Sequence, residues 1–129
     1  MFNFFKKGRK KPPAFTLTKN FYRKDHYFIR NAEWGWLDEE KIFIKHPHKA
    51  SLITPDPWAQ HIFLSAHGSE TVEEYVYFVA AQYTEGLPDA LEQTIIFELS
   101  DLVRAEFIIL VKEKQPAPEP FFSPGLAPN

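Results

Sequence analysis

Two histidines on either side of a proline, His46-Pro47-His48, come nearest in this chain to metal-binding chemistry. An i, i+2 pair on a strand would put both imidazoles on one face as a chelate. Pro47, however, presets a turn, and a solvated turn is the stronger reading. His61 and His67 stand six apart on a short predicted helix and do not share a face. His26 beside Asp25 fits a surface hydrogen bond better than a catalytic pair. Ser65, Ser69 and Ser100 have no nucleophile-elbow context, and Glu39-Glu40 and Glu73-Glu74 read as solvated turn and helix residues. There is no Gly-rich phosphate loop, and the absence of cysteine removes disulfides, thiolate metal sites and a thiol nucleophile. These residues point to a protein that is not an enzyme and carries no cofactor or metal.

Charge is the next constraint. Five of the 15 basic residues, Lys6, Lys7, Arg9, Lys10 and Lys11, fall in the first eleven positions, and from Pro12 onward ten basic residues face 17 acidic ones. Between Pro55 and Phe107, Arg104 alone faces ten carboxylates. A phosphate backbone would be repelled there, so no nucleic-acid partner is expected. With 129 residues, 44% hydrophobic and 16% aromatic, the chain is expected to form one globular domain. No apolar run approaches the roughly 18 residues of a membrane span. Apolar Met1 to Phe5 precedes the basic run, the reverse of a secretion signal, so a cytoplasmic location is expected.

The elements that would position any site follow from periodicity. Residues 1–19 read as a basic flexible arm, 20–114 as a single α+β domain, and 115–129, with five prolines, as an extended tail. The arm admits a second reading, a weak membrane-surface or partner contact through Phe2, Phe4, Phe5, Lys6 and Lys7. Phe121 and Phe122 in the tail could dock on the body or on a partner. Aromatic Phe21 to Arg30, alternating Trp34 and Trp36, Ile42 with Ile44 on one face, and Ala50 to Thr54 predict a small antiparallel sheet of about three strands. The period then changes. Asp56-Pro57 opens a predicted helix that Gly68 ends, Thr71 with Glu74 forms a capping box for a second helix running to Gly86, and Asp89 with Glu92 opens a third. The expected fold is thus α+β, strands followed by a three-helix, winged-helix-like bundle.

From Trp34 to Val111, about 60% of the chain, the sequence resembles the pyrroloquinoline quinone biosynthesis protein D (PqqD) family and related peptide-recognition elements of peptide-modifying enzymes. The residues that carry the resemblance are the apolar strand Ala50 to Thr54, the helix with Trp58, Ile62 and Phe63, and the phrase Gly68-Ser69-Glu70-Thr71-Val72-Glu73-Glu74-Tyr75-Val76. A helix ending in Phe97, Leu99 and Leu102, followed by apolar Phe107 to Val111, completes it. In the family a glycine, a gap, Thr-Val or Thr-Ile and an acidic residue open the second helix. The chain departs from that pattern in its aromatic and proline-rich extensions and at Thr54-Pro55, where an asparagine often stands.

The resemblance implies a non-catalytic module that accepts an extended peptide as an added strand in a cleft between an edge strand and the third helix, and presents it to a modifying enzyme. In this chain the strand would be Ser51, Leu52, Ile53 and Thr54. On the helix, with Leu91, Ile95, Leu99 and Leu102 as the core stripe, a 100° step places Gln93, Phe97 and Arg104 opposite, with Asp101 beside them. Phe97 is the candidate anchor; its alternative role is packing against the tail or the early strands. A second function class is an acidic interaction or immunity-type inhibitor that blocks a basic partner protein. A winged-helix DNA binder ranks last. Exposed edge strands also favour a homodimer.

Overall fold

The computed structural model describes residues 15–116. In chain order they form helix α1 (Thr16–Asn20) and strands β1 (Tyr27–Arg30), β2 (Trp34–Trp36), β3 (Ile42–Lys45) and β4 (Leu52–Ile53). Helix α2 (Pro57–Ser65), strand β5 (His67–Thr71), helices α3 (Val72–Ala80) and α4 (Leu91–Arg104) and strand β6 (Ile108–Val111) follow. The architecture is mixed α+β, with two small antiparallel sheets and four helices, where the sequence suggested one sheet and three helices. The residues Phe2, Phe4, Phe5, Lys6 and Lys7 of the arm, and Phe121 and Phe122 of the tail, lie outside the described residues.

The meander expected from the first half is real but loses its first member. Strands β2, β3 and β4 pair in sequence order, with Trp34 opposite Ile44, Trp36 opposite Ile42 and Ile44 opposite Ile53. These five side chains share one face, and Ile42 and Ile44 are fully buried. Strand β1 instead takes its partners from beyond the helices, in the order β5-β1-β6. It is shorter than the aromatic run Phe21 to Arg30 suggested. Residues 21–26 are spent on turns, with the Lys24 and His26 amides donating to the Phe21 and Arg23 carbonyls. The polar stretch His67 to Thr71, from the expected end of one helix to the cap of the next, becomes a strand because the β1 edge supplies its hydrogen bonds.

Helix starts follow local chemistry where a cap is present. The Asp56 side chain accepts from the Ala59 amide with Pro57 in the first turn, and Thr71 and Glu74 satisfy each other's backbone amides as a complete capping box. The third expected start fails. Ala90, at φ 61°, occupies the cap position of α4, and no side chain caps it. A missing cap costs roughly 1 kcal/mol, whereas burying Leu91, Ile95, Leu99 and Leu102 contributes about 2 kcal/mol each. Packing therefore decides that helix. Helix α3 stops at Ala80, well before Gly86, and residues 81–90 are all exposed.

Ordered packing also begins before residue 20, the boundary suggested by composition. A five-residue helix is not stable alone, and α1 is held from behind. The Phe15 ring lies 4.9 Å from that of Tyr77, and the Thr18 amide donates to the Glu92 carboxylate at 2.6 Å. At the other end the Gln115 amide donates to the Gly68 carbonyl at 2.8 Å. Gly68 has φ +77°, and a Cβ there would stand 2.8 Å from the Gln115 side chain.

Two substitutions test these local arguments by denaturant unfolding. Thr71→Ala removes one half of the capping box and should cost about 1 kcal/mol. Gly68→Ala meets both a left-handed backbone and the Gln115 side chain, and should cost more than about 1 kcal/mol.

Candidate functional site

Strand β4 is an edge. It pairs with β3 on one side only, and the His46 amide donating to the Ser51 carbonyl fixes the alternation of the ladder. In that alternation Ile53 exchanges its backbone bonds with Ile44, while the N–H and C=O of Leu52 point away from β3. Among the described residues nothing pairs with them. Pro55, which has no N–H, ends the strand. The next rung of β3 is completed by a side chain, with the Ile42 amide donating to Gln60 Oε1 at 3.1 Å and Gln60 Nε2 donating to the Glu40 carbonyl. The strand expected over Ala50 to Thr54 therefore shrinks to Leu52–Ile53, with Ser51 in the turn and Thr54 in the exit loop.

The segment carrying β4 approaches α4 and the turn that follows it at both ends. On one side His48 Nε2 donates to Glu106 Oε1 at 2.5 Å, and the His46 ring lies 5.4 Å from that of Phe107. On the other, the Asp56 carboxylate stands near enough to Glu98 of α4 for its charge to act on that carboxyl. Residues 48 to 56 thus run in the opposite sense past residues 106 to 98, from the turn after α4 into its last two turns. Between these two points β4 packs on β3, while the main packing partners of α4 are α2, α1, β6 and α3.

Burial and the neighbouring charge and hydrogen bond of Asp56, followed by the charge of Asp101, push the Glu98 carboxyl above its usual value of 4.5. Two neighbouring carboxylates repel each other once both are ionised. The His48–Glu106 pair is more than half exposed on both sides, so its contribution to stability is small.

The eight expected site residues divide into four sets. Leu52 is 60% exposed and Phe97 64% exposed, so each presents an apolar side chain to solvent. Ser51, Thr54, Gln93 and Arg104 are exposed and polar. Ile53 turns inward and packs against the core, leaving it no free side chain to offer. Phe97, Gln93 and Arg104 form a ridge on the side of α4 away from Leu91, Ile95, Leu99 and Leu102. Asp101 links that ridge to the strand side, bonding Arg104 Nη1 at 2.6 Å while its charge reaches Glu98. The residues at the two points of approach were missed: His48 reads as a turn residue, and Glu98 gives only the weak signal of a carboxylate on the flank of an apolar stripe.

Chemistry elsewhere is sparse. The backbone amide of His48 donates to His46 Nδ1, and no group of three or more His, Asp or Glu among the described residues is arranged to hold a metal ion. His61 Nδ1 lies 2.5 Å from the Tyr75 hydroxyl, but burial drives that phenol far above its ordinary value and keeps it protonated. A cleft of about 260 Å³ between α2 and α3, lined by Trp58, His61, Phe78 and Tyr83, touches neither β4 nor α4. Among the described residues no helix is long and apolar enough to cross a membrane. Comparison with models of protein families, with curated proteins and with solved structures finds no match to this chain.

The Asp56–Glu98 pair makes a pH-dependent prediction. Glu98 keeps its proton to a higher pH when folded than when unfolded. The folded state therefore binds more protons between 4.5 and the raised value, and stability falls as pH rises through that interval. Glu98→Gln retains a donor without the charge. It should raise the urea midpoint at pH 7 and lose that advantage at pH values below 4.5.

Proposed function

We propose that this chain is a non-catalytic module that binds an extended peptide or protein segment, in the manner of the PqqD-like, winged-helix-like elements it resembles. The incoming strand adds to the outer edge of β4 and lies toward α4. The Leu52 backbone gives it main-chain hydrogen bonds, and Phe97 gives an apolar anchor beside the Asp101–Arg104 pair. The observation that carries this reading is the outer edge of β4, which pairs with β3 on one side only while its flanking residues His48 and Asp56 lie near Glu106 and Glu98. A carrier of this kind needs no catalytic residue, because its task is to present the bound segment to a modifying enzyme.

A second reading rests on charge. The stretch Pro55 to Phe107 carries ten carboxylates, and its single cation, Arg104, is already paired with Asp101. Such a surface suits an acidic interaction or inhibitor protein that covers a basic partner, with binding that weakens steeply as salt rises. The absence of local positive charge also works against a nucleic-acid ligand.

Titration with a panel of short peptides encoded beside this chain's gene separates the readings. A carrier gives saturable shifts in the backbone amides of Ser51 to Thr54, and Phe97→Ala weakens binding by about 1 to 3 kcal/mol. Unperturbed amides across that segment, together with tight salt-sensitive binding to a folded basic protein, would transfer support to the inhibitor.

A further inference from the structure

We propose that α1 and the turn after it form a docking surface for an anionic lipid membrane. The first 24 residues contain eight basic side chains and no acidic one, while the rest of the chain holds seven basic and 17 acidic residues. A negatively charged surface therefore attracts this end and repels the remainder, which orients the approach as well as driving it.

The structure adds apolar groups to that charge. Tyr22 is 78% exposed and Leu17 44% exposed, in a stretch of chain that also carries Lys19, Arg23 and Lys24. The Arg23 guanidinium lies 5.2 Å from the Tyr22 ring, and Lys19 and Lys24 line one concave surface with Thr16 and Asn20. Glu73, 4.0 Å from the Lys24 ammonium, lines that concavity, while Asp25 follows in the turn and Glu92 accepts from the Thr18 amide. The contacts of Phe15 with Tyr77 and of Thr18 with Glu92 hold α1 from behind, so these exposed groups sit on a fixed platform.

A tyrosine and an aliphatic side chain among cations is the arrangement that settles at the boundary of headgroup and acyl chain. A nucleic acid would meet the same cations but offers no apolar layer for Leu17, so the exposed aliphatic favours lipid. The sequence just before α1 repeats the composition, with Phe2, Phe4 and Phe5 followed by five cations.

Sedimentation of the full chain with vesicles tests this. Phosphatidylcholine vesicles containing about 30% phosphatidylserine should bind the chain, binding should fall as salt rises, and neutral phosphatidylcholine should bind far less. Lys19→Gln with Arg23→Gln, and separately Leu17→Ser with Tyr22→Ser, should each lower the partition coefficient about fivefold or more. No retention on anionic vesicles, or equal retention on neutral ones, would overturn the proposal. It would equally fail if both paired variants bound like the parent chain, which would place the contact outside α1, or if duplex DNA were retained as well as anionic vesicles.

Discussion

A histidine-to-carboxylate contact between His48 and Glu106, and the approach of Asp56 to Glu98, set one stretch of chain beside α4 and the turn after it. Eight residues of extended backbone reach roughly 26 Å, whereas the same number in a helix advances only about 12 Å. A segment set at both ends beside so short a length of helix has to bow away from it. The turn at residues 46–51 and the exit loop at Thr54-Pro55 absorb the excess, and β4 is left hydrogen-bonded to β3 with its other edge turned outward. The outward edge of β4 thus follows from chain length and from its pairing with β3 alone.

What could be read in the sequence was what local chemistry decides. Asp56-Pro57 and Thr71 with Glu74 announce helix starts because the capping atoms lie within three residues of the amides they satisfy. The buried stripe of α4 was legible from its period, and so was the exposure of Phe97 on the opposite side. The partition into two sheets was not, since β1 finds β5 and β6 far along the chain and nothing in His67 to Thr71 alternates in hydropathy. Helix α1 was invisible because five residues carry no period. Asp89 looked like a cap and is not one, because the burial of the Leu91 stripe sets the start of α4 whatever stands before it. In the site, Phe97 was readable as an apolar residue off the buried stripe, whereas nothing in the strand pattern marked Leu52 as exposed. The approaches of His48 to the turn after α4 and of Asp56 to the helix itself depend on how the elements dock, which no local pattern encodes.

The molecule is bipolar in charge, with cations gathered in its first 24 residues and carboxylates over the body. On the proposals made above, the two ends do different work. The basic end with Tyr22 and Leu17 meets an anionic layer, and the open edge of β4 takes up a polypeptide. Binding at the second does not require a rearrangement of the first, because α1 contacts α3 and α4 through Phe15 and Thr18 and makes no bond to the 48–56 segment.

The orientation of the Leu52 backbone is the point at which the account is most exposed. Amide hydrogen exchange at Leu52, measured on the free chain and on the chain saturated with a bound peptide, reads it directly. The account predicts rapid exchange in the free chain, because that N–H points away from β3, and strong protection once a strand is added. A Leu52 amide already protected in the free chain, or one left unprotected when the peptide is bound, would contradict it.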